Sequence, residues 1–151
     1  RGQSGDAEEA LEQYVNSLGI AQKLYEANPN SAQAARDLSV SLERLGDFYL
    51  GRGQSGDAEE ALEQYVNSLD VRQKLYEANS NSAQAARDLV VSHYKLAQVN
   101  GQMDRKEDEI NHLFSCFTIL DLLHRERRSM DQQMVGLYHH LASRLGSSGQ
   151  D

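Results

Sequence analysis

Apolar residues recur at helical spacing along most of the chain. Near its start, the apolar residues that follow one another by three or four positions are Leu11, Tyr14, Leu18, Ala21 and Tyr25. A second stripe of the same kind consists of Ala35, Leu38, Leu42, Leu45 and Tyr49. This spacing places each set on one side of an α-helix, opposite a polar side. No segment alternates apolar and polar residues with β-branched enrichment, so the pattern predicts an all-α chain without a sheet.

Breaks in this periodicity predict six helices joined by short connections. We expect them near residues 6–27, 31–50, 57–78, 82–99, 104–127 and 130–145. Asn28-Pro29-Asn30 ends the first helix, because proline cannot donate the next helical hydrogen bond. Residues with capping side chains stand three positions before Glu or Gln at four helix starts and predict capping boxes at Asp6, Asp57, Asp104 and Ser129. The Gly- and Ser-rich tail, 147–151, is predicted to be disordered.

The chain contains an internal repeat. Residues 1–18 recur letter for letter as residues 52–69, an offset of 51 residues, and the segments QKLYEAN and NSAQAARDL each occur twice at the same offset. A diverged third copy follows, because apolar positions of the second copy return 51 residues later as Leu113, Leu120 and Leu122. Repeats of this kind are typical of helical arrays. We therefore expect one repeat domain over 1–146, with copies at 1–51, 52–102 and 103–146.

Residues 38–69 resemble the core of a tetratricopeptide repeat. The Leu-Gly pair of that family's first helix, followed by an aromatic residue, matches Leu45-Gly46 and Tyr49. The signature of its second helix, Gly-x-x-x-x-Ala followed by an aromatic and a small residue, matches Gly56, Ala61, Tyr65 and Ser68. The unit is longer here than the family's roughly 34 residues, as in an extended variant. The resemblance implies stacked hairpins, about six antiparallel helices in all, that form a non-catalytic scaffold for a partner protein or peptide.

The resemblance also implies where a partner binds. In the family, the first helix of each hairpin lines a concave groove, and alignment on Gly46 transfers that stripe to this chain. The partner-binding residues so predicted are Arg36, Val40, Glu43 and Asp47 in one copy and Arg87, Val91, Tyr94 and Gln98 in the next. Glu43 and Asp47 replace the cationic clamp with which some members hold a C-terminal carboxylate, so we expect a basic or mixed peptide. An ordinary solvated helix face is the alternative, since every amphipathic helix has a polar side.

Charge and cysteine content narrow the function further. The chain has 15 Lys plus Arg against 23 Asp plus Glu, a net charge of −8, whereas a nucleic-acid surface needs clustered cations. The one basic cluster, Arg125, Arg127 and Arg128, lies where a helix is predicted to end, and there cations interact with the helix terminus. No stretch approaches the roughly twenty apolar residues that span a bilayer. Cys116 is the only cysteine, so we expect a buried inert thiol and a cytoplasmic protein.

Three motifs that could support chemistry have simpler structural explanations. Gly51 to Gly56 fits G-x-G-x-x-G, but the dinucleotide motif follows a strand, so we interpret these glycines as a turn. Glu109 to His112 fits the E-x-x-H of di-metal bundles, which needs a second such motif that the chain lacks. His112 and Cys116 share a helix face and could bind zinc with two of His124, His139 and His140, although isolated helical histidines are usually ordinary contacts. We expect no catalytic site, metal or cofactor.

Two other functions remain open from the sequence. The first helix is of the second type and has no first-type partner before it, and the last helix lacks a second-type partner, so the ends could pair between copies. An uncovered flank around Leu11, Tyr14 and Leu18 predicts weak self-association through the first helix. The chain begins with Arg1 instead of Met, which is consistent with a regulatory arm of a larger multidomain signalling protein.

Overall fold

A computed structural model describes residues 3–147, and the side chains of residues 5–146. The described residues form six α-helices and no strand: α1 (Gln3–Ala27), α2 (Ala32–Arg52), α3 (Asp57–Ala78), α4 (Ala83–Gln102), α5 (Lys106–Arg125) and α6 (Gln132–Ser147). The prediction of an all-α chain with six helices is therefore confirmed, and each helix boundary lies within one turn of the expected one. Helix α6 extends one residue into the predicted disordered tail, and the rest of that tail, 148–151, lies outside the described residues.

The chain divides into two compact units, which we describe separately. Unit 1 comprises residues 1–78 and contains α1, α2 and α3, and unit 2 comprises residues 79–151 and contains α4, α5 and α6. The continuous repeat domain over 1–146, with its stacking of hairpins, stays a prediction.

In unit 1, α2 packs against both α1 and α3. The apolar residues that close this core are Leu18, Ala21 and Tyr25 of α1, Leu38 and Leu42 of α2, and Val71 of α3. One turn before Leu18 in α1, the Tyr14 ring lies 5.7 Å from the ring of Phe48, centroid to centroid. Because the earlier part of α1 meets the later part of α2, these two helices are antiparallel.

In unit 2, α5 packs against both α4 and α6. The largest fully buried apolar side chains of this unit are Leu89, Val99, Leu96, Leu120, Leu123 and Leu141. The Tyr138 ring of α6 stacks on two rings of α5, with centroid distances of 5.6 Å to Phe117 and 4.9 Å to His124. The Tyr138 hydroxyl also donates to Asp121 at 2.9 Å. Aromatic stacking and this hydrogen bond together hold α6 on α5.

The capping residues differ from those predicted. The side chains of Ser31, Ser82 and Asp131 accept hydrogen bonds from backbone N–H groups in the first turns of α2, α4 and α6. Asp104 does not cap α5, because it adopts a left-handed conformation (φ 58°) and Arg105 occupies the cap position without a side-chain bond. Ser129 does not cap α6 either, since Asp131 takes that role. Among the side chains that the structure describes, caps thus mark three helix starts, but the capping-box spacing did not locate them.

Candidate functional site

Unit 2 contains a groove of about 590 Å³ between α4 and α6. Four apolar residues from the two helices line it: Val90, Val91, Met134 and Leu137. The polar and small residues of the lining are Arg87, Tyr94, Lys95, Gln98, Gln133, Gly136 and His140. All four residues that the sequence analysis assigned to partner binding in the second copy, Arg87, Val91, Tyr94 and Gln98, therefore lie around one groove.

The helical repeat of α4 explains why these residues meet. Steps of three or four positions separate them, which places them in one stripe along α4. An adjacent stripe, which includes Leu89 and Leu96, is almost fully buried in the core of the unit. Burial of that stripe fixes the rotation of α4, and the groove stripe is left accessible. The Tyr94 side chain is 38% exposed.

Hydrogen bonds connect α4 to the start of α6 at one end of the groove. The Arg87 side chain donates through Nε to Asp131 at 2.7 Å and through Nη2 to Gln133 at 3.2 Å. The backbone N–H of Met134, followed by the Arg87 guanidinium, lowers the pKa of Asp131. Asp131 is therefore ionised at neutral pH and keeps both its helix-capping and its ion-pair contact.

A smaller depression of about 140 Å³ shares Tyr94 and Gln98 with the groove. It lies beside an ion pair between α6 and α5, in which Arg144 Nη2 donates to Glu109 at 3.1 Å. Glu109, the acidic residue of the E-x-x-H spacing, therefore has an ion-pair partner on α6.

The first-copy residues Glu43 and Asp47 contact α3. Arg72, whose side chain is almost fully buried, donates to the two carboxylate oxygens of Glu43 at 3.1 and 3.3 Å. The Tyr65 hydroxyl donates to Asp47 at 2.5 Å. Both acidic side chains thus join α2 to α3, which the groove assignment did not anticipate.

The other two first-copy residues, Arg36 and Val40, are half-buried on α2. A cavity of about 320 Å³ in unit 1 is lined by other residues, from the end of α1, the start of α2 and the end of α3. The structure therefore does not gather the four first-copy residues around that cavity, in contrast to their counterparts in unit 2.

A buried hydrogen-bond network centred on Ser39 completes the α2–α3 contact. The Ser68 hydroxyl donates to the Ser39 carbonyl at 2.8 Å, and Arg72 Nε donates to the Ser39 hydroxyl at 3.1 Å. Burial, with the bond to Asp47 as a second cause, raises the pKa of Tyr65. Sequence reasoning missed this network. Its signal was Arg72, which stands where the first helix has Ala21, three positions after the end of the identical block.

The glycine-rich segment forms the turn between α2 and α3. Gly53 and Gly56 have positive φ angles of 67° and 84°, and the preceding element is a helix, so the turn interpretation is confirmed. Arg52 binds the Asp57 carboxylate through two bonds of 2.8 Å, and the backbone N–H of Gln54 donates to the same carboxylate at 2.9 Å. The Arg52 bond is the main reason why the pKa of Asp57 is lowered.

Two histidines pair across α4 and α5. The Nδ1 atoms of His93 and His112 lie 3.0 Å apart, which requires one of them to donate and the other to accept. Burial is the main cause of the lowered pKa of both side chains, to about 4 for His93. Both rings are therefore neutral at pH 7. His112, which the sequence analysis grouped with Cys116, has this second histidine as its hydrogen-bond partner.

Cys116 is a buried thiol, as predicted. Its Sγ lies 3.4 Å from the Val90 carbonyl oxygen, and burial raises its pKa to about 12, so the nucleophilic thiolate does not form at neutral pH. Among the described side chains, no group of three or more His, Cys, Asp or Glu residues could hold a metal ion. None of the described helices has the length and apolar character to cross a bilayer.

The basic cluster at the end of α5 has partners within unit 2. Arg125 forms an ion pair with Asp121 one turn earlier. Arg128 donates to the Ser80 carbonyl at 2.8 Å and contacts Glu126. Arg125 and Arg128 thus bind carboxylates and a loop carbonyl, and the interaction with the helix terminus expected from the sequence stays a prediction.

Comparison with known proteins found no matching family model, no matching curated protein and no matching solved structure. The resemblance to tetratricopeptide repeats therefore stays a prediction, and the functional argument depends on the residues of this chain.

Proposed function

We propose that the chain is a non-catalytic scaffold that binds a partner protein or peptide in the α4–α6 groove of unit 2. The observation that carries this proposal is the convergence of Arg87, Val91, Tyr94 and Gln98 around one cavity with apolar side chains from both helices. A groove of this kind suits an amphipathic helix, which buries its apolar face between the two helices. Tyr94 is a suitable anchor, because partly exposed tyrosines combine a large apolar area with a polar end.

The charge of the groove favours an acidic partner. Arg87 and Lys95 belong to its lining, and none of the described lining residues is acidic. Asp131 offsets the charge of Arg87, so apolar contact supplies most of the affinity and charge selects the partner. The basic or mixed peptide expected from sequence depended on Glu43 and Asp47, whose carboxylates bind α3. We therefore propose an acidic amphipathic helix.

A tetratricopeptide-like repeat architecture and a cytoplasmic location are part of the same proposal. The architecture is supported by the close contact at Gly46, where an added Cβ would lie 2.6 Å from the Tyr65 ring. A small residue is thus required at the position that matches the family's glycine. The location is supported by the lone buried thiol, which needs no oxidising compartment.

The test is a selection from a displayed library of random helical peptides with the whole chain as bait, followed by affinity measurements on the selected peptide. We expect acidic peptides with apolar residues every three or four positions. Tyr94→Ala should weaken binding by about tenfold or more, as expected when a central aromatic anchor is truncated. Tyr14→Ala is the matched control, because Tyr14 is 36% exposed, close to Tyr94, but lies on α1 in unit 1.

Two results would contradict the proposal. One is a selection that yields no binder. The other is a binder whose affinity is unchanged by Tyr94→Ala, or changed equally by Tyr14→Ala, because neither pattern assigns the binding to the groove.

A further inference from the structure

Helix α5 is apolar at positions where the other copies of the repeat are acidic. Ile110 is 43% exposed and Phe114 is 49% exposed. Their counterparts in α3, 51 positions earlier, are Glu59 and Glu63, and both are exposed. The same two positions of α1 are again exposed glutamates. The repeat therefore keeps these positions at the surface, and α5 has large apolar side chains there instead of charges.

The apolar surface continues along α5 at intervals of four residues. Thr118 is exposed and Leu122 is 41% exposed. Residues four apart form a ridge on a helix, and we call Ile110, Phe114, Thr118 and Leu122 the α5 ridge. The Thr118 hydroxyl donates to the Phe114 carbonyl at 2.9 Å, so it stays hydrogen-bonded when an apolar neighbour covers it. The ridge is thus suited to burial against another surface.

The α5 ridge lies on the side of the helix that faces away from the core of unit 2. The residues that α5 buries in that core are Leu113, Cys116, Leu120 and Leu123. With 3.6 residues per turn, these residues centre on the opposite side of the helix from the ridge. The aromatic residue of α5 that stacks on Tyr138 of α6 is Phe117 and not Phe114. The ridge is therefore distinct from the stripe that α5 buries within unit 2.

Charges of opposite sign flank the ridge. Glu107 is exposed in the first turn of α5, and Arg125, whose side chain is 75% exposed, lies in the last turn. Phe114 lies about two turns after Glu107 and Arg125 about five, so all three are on the same side of the helix. Arg125 pairs with Asp121 on its own helix, but a guanidinium has five N–H donors and can bind a second carboxylate. The ridge thus begins beside an acidic residue and ends beside a basic one.

This order of charges is self-complementary. We propose that the α5 ridge is a dimer interface, on which a second copy of this chain docks its own α5 in the antiparallel direction. A twofold axis midway between Phe114 and Thr118 makes each contact occur twice. Parallel docking would bring like charges together, so charge favours the antiparallel pair. The pairs across the interface are Phe114 with Thr118, Ile110 with Leu122, and Glu107 with Arg125 of the second copy.

The dimer is weak. The ridge and its two flanking charges comprise six residues of each copy, fewer than the roughly 20–30 residues per side of a standard interface. The net charge of −8 on each copy also opposes association. We therefore expect a dissociation constant between about 10 μM and 1 mM. Because the ridge lies on α5, this surface is separate from the α4–α6 groove and stands or fails independently of the proposed function.

Sedimentation of the full chain over a range of concentrations tests the apolar part of the interface. We expect a reversible equilibrium between monomer and dimer. Ile110→Glu and Phe114→Glu install the residues of α3, so each should keep the thermal midpoint and weaken dimerisation by about tenfold or more. Val66→Glu is the matched control, because Val66 is 40% exposed on α3, and it should leave the equilibrium unchanged.

Charge exchange tests the antiparallel direction. Glu107→Arg alone, or Arg125→Glu alone, places like charges opposite each other at both ends of the interface and should weaken dimerisation several-fold. The double variant Glu107→Arg, Arg125→Glu restores two attractive pairs in the antiparallel dimer and should recover dimerisation. NMR of the unmodified chain should show concentration-dependent shifts along the ridge but not at Glu59 or Glu63.

Four results would overturn the inference. One is a chain that stays monomeric up to about 1 mM. A second is a dimer that is unaffected by Phe114→Glu, or weakened equally by Val66→Glu, because the ridge is then not the interface. A third is a dimer that Tyr14→Ala or Tyr94→Ala disrupts while Phe114→Glu does not, which would assign the contact to α1 or to the groove. The fourth is a double charge variant that dimerises no better than either single variant, which would exclude the antiparallel pair.

Discussion

The hairpins α2–α3 and α4–α5 differ at equivalent positions, which hold polar side chains in the first hairpin and mostly apolar ones in the second. The polar residues that close the first hairpin are Ser39, Glu43, Tyr65, Ser68 and Arg72. The residues that lie 51 positions later are Val90, Tyr94, Cys116, Ile119 and Leu123. A buried hydrogen-bond network thus joins α2 to α3, whereas a tyrosine, a thiol and three apolar side chains occupy the same positions in α4 and α5.

This comparison distinguishes the buried leucine positions that both hairpins share, the leucine framework, from the positions at which the hairpins differ. Leu38 and Leu45 are buried in the first hairpin, and so are their counterparts Leu89 and Leu96 in the second. The Glu43 position is one of those at which the two diverge. Arg72 binds Glu43 in unit 1, but unit 2 has Leu123 in place of that arginine, and Tyr94 lines the groove. Loss of the polar network therefore accompanies a new accessible surface.

The largest effect expected is that of Arg72→Ala. Removal of one partner of a largely buried ion pair costs about 3–5 kcal/mol of the free energy of unfolding. Urea denaturation measures this loss, and hydrogen exchange should localise it to α2 and α3. The triple variant Ser39→Val, Glu43→Tyr and Arg72→Leu installs the residues of unit 2 and should recover most of the loss. A triple variant as unstable as Arg72→Ala would show that the residues of unit 2 cannot replace the polar network of unit 1.

Truncation of the shared framework should affect both units alike. Leu45 and Leu96 are equivalent and are 3% and 0% exposed, so replacement of either by alanine should cost about 2–5 kcal/mol through lost burial and a residual cavity. Denaturation of each single variant, with hydrogen exchange to assign the affected helices, measures this. If only one of the two variants lost stability, the leucine framework would not be common to both hairpins.

Acid should weaken the second hairpin selectively. The pKa values of His93 and His112 are lowered in the folded chain, so the unfolded chain takes up protons first as the pH falls below about 6.5. Stability from this pair is therefore present above that pH and is lost as the pH falls towards about 4, the folded-state value for His93. Protonation of both rings also removes their mutual hydrogen bond. Asp108 lies close enough to His112 to oppose the shift in its pKa.

The acid effect has a control within the chain. The counterparts of His93 and His112 in unit 1 are Leu42 and Ala61. The variant His93→Leu, His112→Ala should therefore lose less stability between pH 7 and pH 4.5 than the unmodified chain. Hydrogen exchange in α4 and α5 at the two pH values reports the difference, and identical pH profiles for the two proteins would rule out the pair as its cause.

The smallest effect is expected for Glu12→Gln. Glu12 is exposed on α1 and belongs to neither hairpin, and isolated surface changes usually alter the free energy of unfolding by no more than about 0.5 kcal/mol. Denaturation midpoints compare it directly with Leu45→Ala. Equal losses at the two positions would show that the predicted apolar stripe is not the core.

Helical periodicity was sufficient to predict the helices, because burial of one stripe determines both their existence and their orientation. The glycine turn and the buried thiol were also predictable, since each depends on one residue's intrinsic chemistry. Caps such as Asp131, and long-range pairs such as His93 with His112, could not be predicted from the sequence. Those contacts depend on how two helices pack, and spacing along one helix does not contain that information.

The partner-binding residues show the same limit. Alignment to a repeat family assigned the same role to Glu43 and Tyr94, because it compares positions and not neighbours. Their surroundings differ at several positions of the facing helix, one of which is Arg72 in unit 1 and Leu123 in unit 2. The groove in unit 2 could therefore be anticipated from sequence, whereas the engagement of Glu43 with α3 could not.

The duplicated block has a consequence for folding. Helices α1 and α3 carry the same Ala, Tyr and Ser side chains for contact with α2, so a nascent chain has two candidate helices for one face of α2. A wrong pairing would satisfy most of the same contacts, which is the type of near-degenerate alternative that slows repeat proteins. Arg72 distinguishes the two helices, because α1 has Ala21 at the equivalent position and cannot form this ion pair with Glu43. The ion pair thus favours the pairing of α2 with α3 over that of α2 with the same face of α1, a specifying role that buried charges have in other proteins.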